Sequence, residues 1–130
     1  MPKLRITSEQ LVEQARTAIN YIPIGEAIDL LGSDQVLFVD VRELEEYMES
    51  TIRGSIHTPR GWLEFLLDPD SGFQNPDLIT GKKMILFCGS GGRSTLATKL
   101  ARDMGYDAVC LQGGLKAWIA ANGPTERFSS

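Results

Sequence analysis

The stretch that decides the fold runs from residue 84 to residue 94 and reads Met84-Ile85-Leu86-Phe87-Cys88-Gly89-Ser90-Gly91-Gly92-Arg93-Ser94. Its first four residues are apolar, as in a strand buried within a parallel sheet. Apolar residues then recur at helical spacing from Leu96 to Met104. The glycines between the two patterns give a loop with little side-chain bulk. Cys88 is therefore predicted to lie at a strand-to-helix turn.

This position makes Cys88 a candidate nucleophile. The helix that follows directs unpaired N–H groups and the positive end of its dipole toward the turn, and glycines turn further N–H groups inward. Arg93 adds a permanent positive charge. These features favour the thiolate, which is the attacking form of cysteine, so no separate base is required. The alternative interpretation is a buried cysteine that precedes a glycine-rich turn and carries no chemistry.

Two other residues with reactive side chains have structural interpretations. His57 is the one histidine of the chain and the obvious candidate for a base. It falls at the end of a short predicted strand over residues 55–57, and we interpret it as a polar strand-end residue. Cys110 lies within the apolar run of the last predicted strand, over residues 107–111, and we interpret it as a core residue.

Short apolar runs alternate with helical patterns along the chain. Further runs occupy residues 21–24 and 35–39, the first with a proline that suits an edge strand. The alternation predicts an α/β domain with a mainly parallel sheet and helices on both faces. Thr7 and Gln10 predict a capping box for an N-terminal helix. That helix either packs on the outside of the domain or contacts a partner.

Polar residues follow the strand over residues 35–39, at the sheet edge where ligands bind in such folds. We expect Asp40 to accept hydrogen bonds from the Cys88 loop. Arg42 and Glu46 are four residues apart and are expected to form an ion pair. Leu44, Tyr47 and Met48 share one face of the short helical segment that follows. Pro59 can begin a second helix, in which we expect Trp62 and Phe65 to lie in the core, with the pocket wall as the alternative.

Composition bounds the function. The chain has 130 residues, 42% of them hydrophobic and 23% charged, which is typical of one globular domain. The formal net charge is -4 without a basic cluster, which argues against nucleic acid as a main partner. No apolar run resembles a membrane span or a signal segment. Two distant cysteines and one histidine form neither a disulfide framework nor a metal-ligand set, so we expect reduced thiols, a cytoplasmic location and no metal or other cofactor.

Four motifs resemble the rhodanese family of sulfurtransferases over about Pro23 to Pro124. Each is weak alone, but their order and spacing together are specific. They are Asp40-Val41-Arg42 with Glu46-Tyr47, Gly54-Ser55-Ile56-His57-Thr58-Pro59, the Cys88 loop, and Gly113-Gly114-Leu115-Lys116-Ala117-Trp118. The chain departs from the family at Ser50-Thr51-Ile52-Arg53, where the pattern usually reads Gly-His-Ile-Pro.

The resemblance implies a three-layer rhodanese domain with about five strands, over residues 21–125. We expect residues 1–20 to form a helical extension before it, and residues 126–130 to form a frayed tail. The resemblance also implies sulfur transfer through a persulfide on Cys88, from a donor such as thiosulfate to cyanide or a thiol. Arg60 is a candidate contact for an anionic donor. The loop residues expected to bind substrate are Gly89, Ser90, Gly91, Gly92 and Arg93, and the supporting residues are Asp40, Arg42 and Ser94.

The length of the Cys88 loop favours a sulfurtransferase over a phosphatase or an arsenate reductase. Four residues stand between Cys88 and Arg93, whereas the related phosphatase and arsenate-reductase domains have a loop one residue longer. A narrow loop suits one added sulfur atom better than a tetrahedral oxyanion. A persulfide carrier that serves a sulfur-relay partner stays open as an alternative, and so does a module that only binds a partner. The neutral Gly89-Ser90-Gly91 also resembles mercaptopyruvate sulfurtransferases, so the donor stays open.

Overall fold

The computed structural model describes residues 2–128. Five strands form a parallel sheet in the order β1-β6-β5-β2-β4, and two short strands form an antiparallel pair. The strands are β1 (Tyr21–Ile22), β2 (Val36–Asp40), β3 (Thr51–Ile52), β4 (Ile56–His57), β5 (Lys83–Phe87), β6 (Ala108–Leu111) and β7 (Thr125–Glu126). The helices are α1 (Ser8–Arg16), α2 (Ile24–Asp29), α3 (Leu44–Glu49), α4 (Leu63–Leu67), α5 (Gly92–Asp103) and α6 (Gly114–Ala120), with a 3-10 turn over Arg60–Trp62 before α4.

The predicted three-layer α/β architecture with a five-stranded sheet is confirmed. Two buried apolar clusters lie on opposite faces of the sheet, and alternate residues of β5 contribute to each because neighbouring strand residues point to opposite faces. Met84 and Leu86 pack with α4 and α5, whereas Ile85 and Phe87 pack with α2 and α6. The central strand β5 is therefore buried on both faces, and it delivers Cys88 to its carboxyl end.

The N-terminal helix packs against the body of the domain. Thr7 and Gln10 form the predicted capping box at the start of α1. Ala15 and Ile19 are buried, and α1 lies against α5, the helix that follows the Cys88 loop. The prediction that this helix packs on the outside of the domain is confirmed.

The predicted burial of Trp62 and Phe65 is wrong. Trp62 and Phe65 are about half exposed, and Leu44 and Met48 are exposed as well. Helical spacing shows which side chains share a face but not which face meets the core. Here the buried positions of α4 are instead Leu63 and Leu67.

The predicted frayed tail is also wrong for the residues that the structure describes. Glu126 belongs to β7 and pairs with Thr51 of β3. The backbone N–H of Phe128 donates to the Met48 carbonyl, and the Phe128 ring stacks on Tyr47 at 5.2 Å between centroids. The last two residues lie outside the described part of the chain. Along residues 2–128, the structure contains no helix with the length and hydropathy that a membrane span requires.

Candidate active site

The sulfur of Cys88 faces the backbone of the loop that follows it. Gly91 N–H donates to Sγ at 3.2 Å and Ser94 N–H donates to it at 3.4 Å. The hydroxyl of Ser94 lies 3.3 Å from the same sulfur. The residue is 1% exposed and borders the apolar cluster under α5. The sulfur is thus enclosed, but two of its polar contacts are N–H donors that stabilise a negative charge.

Further donors of the loop remain available. The N–H groups of Gly89, Ser90 and Gly92 have no acceptor within residues 2–128. Gly92 opens α5, so its N–H belongs to the set that no helical carbonyl satisfies. Gly91 caps the helix with a φ of 133°, a conformation that residues with a side chain rarely adopt. The glycines thus allow the loop to turn several amides toward one region of space.

The start of α6 holds the loop from behind. Leu115 N–H donates to the Cys88 carbonyl at 2.8 Å and Lys116 N–H to the Gly89 carbonyl at 3.1 Å. This approach depends on Gly114, where a Cβ atom would lie 2.6 Å from the Cys88 carbonyl oxygen. The sequence predicts a tight turn at Gly113-Gly114 near the mouth of the pocket, without a contact to the Cys88 loop. Its position at the end of β6 was the signal that it would lie against the Cys88 loop.

Arg93 is bound to a carboxylate outside the loop. Its guanidinium forms two hydrogen bonds with Glu46, at 2.7 and 3.1 Å. The hydrogen bond with Arg93 lowers the pKa of Glu46, and its counterpart raises the pKa of Arg93. A negative charge on the Cys88 sulfur would act on the pKa of Arg93 in the same direction. The expected Arg42–Glu46 pair is wrong, because Glu46 pairs with Arg93 instead.

Asp40 and Arg42 form a buried ion pair beside the loop. Arg42 donates to Asp40 from its backbone at 3.0 Å and from its guanidinium at 3.0 and 2.8 Å. Thr51 completes the set at 2.8 Å from Asp40, and the guanidinium also reaches the Ser50 carbonyl at the end of α3. The expected hydrogen bond from the Cys88 loop to Asp40 is wrong. The pair instead holds α3, the helix that carries Glu46.

Arg60 and His57 have partners of their own. The guanidinium of Arg60 pairs with Glu64 at 3.2 Å, one turn along the chain. The Nε2 atom of His57 bonds with the Arg42 carbonyl at 2.8 Å, and its ring stacks on Tyr47. These contacts account for His57 as a structural residue at the end of β4.

A cavity of about 380 Å³ lies on the β1–β6 side of the loop. Ser90, Gly91 and Gly92 line one wall, and the N-terminal segment supplies Arg16 and Tyr21. No group of three or more metal-binding side chains occurs among residues 2–128. The arrangement is therefore a buried thiol that accepts hydrogen bonds from two loop amides, next to a surface cavity.

Comparisons with known proteins agree with this geometry. The model of the family described as Rhodanese-like domain matches residues 24–121. A tRNA uridine(34) hydroxylase of Brucella ovis is 30% identical over 83% of this chain, and a tRNA sulfurtransferase of Desulfurococcus amylolyticus is 34% identical over 74% of it. The matches span only 35% and 17% of those two proteins.

A solved structure matches almost the whole chain. It is a Rhodopseudomonas palustris protein, described as of unknown function and a possible tyrosine phosphatase, with 35% identity and a TM-score of 0.90. It covers 97% of this chain and is itself covered over 99% of its length. The family match, the parallel sheet order and the loop after the central strand lead to one conclusion: the chain belongs to the rhodanese-like family.

Proposed function

We propose that the protein transfers sulfane sulfur from a donor such as thiosulfate to a thiophilic acceptor, through a persulfide on Cys88. The observation that carries the proposal is the pair of N–H groups, from Gly91 and Ser94, that point at the Cys88 sulfur. Such donors stabilise an anionic sulfur without a general base. Membership of a family that includes sulfurtransferases supports the same reaction class.

The first half-reaction forms the persulfide. The Cys88 thiolate attacks the outer sulfur of thiosulfate, and the S–S bond of the donor breaks with its electron pair on the departing sulfite. The terminal sulfur then carries the negative charge. The N–H groups of Gly89, Ser90 and Gly92, which lack an acceptor within the described chain, are the donors available to it. This is the role of an oxyanion hole, applied to sulfur.

The second half-reaction regenerates the thiolate. Cyanide or a thiolate attacks the terminal sulfur and takes it, and the bonding electrons return to the Cys88 sulfur. No redox partner or metal takes part in this scheme. Arg93 contributes positive charge near the loop, although Glu46 neutralises part of it. Arg60 is a candidate for attracting an anionic donor, because its guanidinium is partly exposed.

The enclosure of Cys88 supports a small reacting group. At 1% exposure, the residue admits a projecting sulfur atom more readily than a phosphoester with its substituents. The loop, with four residues between Cys88 and Arg93, supports sulfur over phosphate for the same reason. We therefore rank a cysteine phosphatase second, although the similar Rhodopseudomonas palustris protein is described as a possible phosphatase.

Intact mass spectrometry after incubation with a sulfur donor tests the proposal. The wild-type chain is expected to gain the mass of one sulfur, located by peptide mapping on Cys88, and to lose it on addition of cyanide. Cys88→Ser is expected to gain none. An adduct confined to Cys110, or no adduct with any sulfane compound, would overturn the proposal. Hydrolysis of p-nitrophenyl phosphate by the wild type but not by Cys88→Ser would instead support the phosphatase.

The donor and the acceptor are distinguished by rates. We propose thiosulfate first, with 3-mercaptopyruvate and a protein persulfide as the other donors to compare. A protein persulfide that reacts much faster than both small donors would identify a carrier in a sulfur relay. Two similar proteins are named as tRNA-modifying enzymes, a tRNA uridine(34) hydroxylase and a tRNA sulfurtransferase. A tRNA-modifying enzyme is therefore a suitable acceptor partner to test. With a net charge of -4, this chain is expected to meet such an enzyme rather than the RNA itself.

A further inference from the structure

Cys110 lies beside Cys88 on the neighbouring strand. Cys110 of β6 pairs in register with Leu86 of β5, which is two residues before Cys88. Side chains two residues apart on a strand share a face, so both thiols point toward α5. Both cysteines are free and buried. The Cys110 thiol is therefore the titratable group that β6 contributes to the surroundings of the Cys88 sulfur.

The hydroxyl of Ser94 stands between the two thiols. Cys110 Sγ donates to Ser94 Oγ at 3.3 Å, and the same oxygen lies 3.3 Å from Cys88 Sγ. A third neighbour is the Gly91 carbonyl, also at 3.3 Å. Ser94 is completely buried, so these three groups are the partners that its hydroxyl has in place of water.

The protons of this cluster can be assigned. A hydroxyl has one proton and two lone pairs, and a carbonyl only accepts. Because Cys110 donates to Ser94, the Ser94 proton is left for either the Gly91 carbonyl or the Cys88 sulfur. When Cys88 is a thiolate, the negative sulfur is the stronger acceptor. The cluster then becomes a chain of donors that runs from Cys110 through Ser94 to Cys88.

We propose that Cys110 is a positioning residue for Cys88: its thiol donates to Ser94 and so orients the Ser94 hydroxyl toward the Cys88 thiolate. The proposal rests on the proposed function in that Cys88 is the nucleophile, but its test measures the reactivity of the thiol and not sulfur transfer. Nothing in the chemistry of the cluster requires Cys110 itself to react.

The surroundings of Cys110 keep it in the donor form. Burial raises the pKa of Cys110, so the thiol retains its proton where an exposed one would begin to lose it. Thr95 Oγ1 lies 3.9 Å from Cys110 Sγ and is itself held by the Tyr21 hydroxyl at 2.7 Å.

Arg16 of α1 lines the cavity beside Gly91 and Thr95, with its guanidinium over the Tyr21 ring at 5.5 Å. The other charged groups near the cluster are Arg93 and the groups that act on it. Arg93 of α5 interacts with Cys88, and Glu46 of α3 and Asp40 of β2 act on Arg93. None of these three groups is changed by a substitution at Cys110. The register also disfavours a Cys88–Cys110 disulfide, because the two residues are offset along neighbouring strands rather than directly paired.

The rate of alkylation of Cys88 by iodoacetamide, measured against pH on the full chain, tests the proposal. Peptide mapping assigns the label to Cys88 or Cys110. In Cys110→Ala, the pH of half-maximal rate is expected to rise by about 0.5, the order expected for one weak hydrogen bond. In Cys110→Ser, it is expected to stay at the wild-type value, because a hydroxyl donates to the same oxygen. A purely structural role would not produce this rescue.

A double-mutant cycle supplies the matched control. Ser94→Ala is expected to raise the half-maximal pH, and adding Cys110→Ala to it is expected to raise the value no further, since the two residues act in series. Additive shifts would overturn the proposal, as would a Cys110→Ala profile that superimposes on the wild type in a folded protein. A Cys88–Cys110 disulfide formed under mild oxidation would overturn it too. If Cys110→Ala does not fold, Cys110→Val fills the site without a donor and carries the same expectation.

Discussion

Glu46 and Arg93 are joined by a two-point ion pair, with Nη1–Oε1 at 2.7 Å and Nη2–Oε2 at 3.1 Å, although 47 positions separate them in the chain. The pair connects α3 to the first turn of α5, directly after the Cys88 loop. Arg93 therefore does not turn freely around the loop. The direction of its charge depends on a carboxylate from another element.

This pair predicts a pH-dependent contribution to stability. The hydrogen bond from Arg93 lowers the pKa of Glu46 below its ordinary value of 4.5. A lowered carboxyl pKa stabilises the folded state above pH 4.5, and this contribution disappears as the pH falls through the folded-state value. Both side chains are more than a third exposed, so Glu46→Gln is expected to cost less than about 1 kcal/mol at pH 7.

Urea unfolding at several pH values checks this prediction. The difference between the wild type and Glu46→Gln is expected to shrink as the pH falls below 4.5. Glu45→Gln removes a neighbouring exposed carboxylate of the same helix and serves as the matched control. A difference that is constant with pH, or an equal effect in the control, would contradict the prediction.

Gly114→Ala is expected to damage the loop as well as the fold. A Cβ atom there meets the Cys88 and Gly89 carbonyl oxygens at 2.6 and 2.7 Å, and the residue has a φ of 65°. We expect a loss of about 2 kcal/mol or more in unfolding free energy. Slower persulfide formation is expected too, because Leu115 and Lys116 would no longer hold the loop.

Gly25→Ala is the control for this substitution. Gly25 lies in α2, where no atom is within 4 Å of an added Cβ and the backbone is helical. Alanine is expected to leave both stability and persulfide formation unchanged or to raise stability slightly. Equal behaviour of the two variants would show that the close approach of α6 to the loop has no consequence.

Asp40→Asn is expected to be strongly destabilising. Asp40 is fully buried and Arg42 nearly so, and the substitution leaves a buried guanidinium without its counter-charge. The expected cost in unfolding free energy is about 3 kcal/mol or more. The double variant Asp40→Asn, Arg42→Met removes both charges and should recover part of that loss. A single variant as stable as the wild type by urea unfolding would contradict the interpretation.

His57→Gln is expected to leave sulfur transfer intact. The imidazole contacts the Arg42 carbonyl and the Tyr47 ring, on the α3 side of β4. A general base contributes about 10²–10⁴-fold in rate, so a loss below about threefold would separate a structural residue from a catalytic one. Steady-state rates with thiosulfate and cyanide make the comparison. A hundredfold loss of the steady-state rate in a stably folded variant would show instead that His57 takes part in catalysis.

The architecture and the Cys88 loop were predictable because their signals are local. The apolar run before Cys88, the glycines after it and the helical spacing from Leu96 all fall within a short stretch of chain. Each signal reports a backbone conformation that does not depend on distant residues. The five-stranded parallel sheet follows from a repetition of the same local pattern.

The partners of charged residues were not predictable in the same way. Glu46 was paired with Arg42 because helical spacing was the only geometry that the sequence offers. The fold instead brings Arg93 to Glu46 and turns Arg42 back to Asp40. Which of several cations reaches a carboxylate depends on how separate elements pack, and this information is not contained in any one segment.

Apolar residue types do not predict burial correctly where a helix lies at the surface. Trp62 and Phe65 are large and apolar, yet they are exposed and contact each other at 6.1 Å between ring centroids. The apolar run around Cys110 correctly predicts its burial but not its hydrogen bond to Ser94. Such a contact requires the register of β6 against β5, which residue types alone do not determine.

Backbone N–H groups of α5 and α6 occupy the carbonyl oxygens of the Cys88 loop. The carbonyls of Cys88 and Gly89 are bound by α6, and the Gly91 carbonyl is bound by Thr95 N–H. These oxygens are thus occupied by the protein's own donors, whereas the N–H groups of Gly91 and Ser94 point at the sulfur. Such a surface attracts electron-rich atoms and offers soft metal cations little to coordinate besides the thiolate. For the sulfur transfer proposed above, discrimination between sulfane anions and thiophilic metals would then depend on the backbone rather than on any side chain.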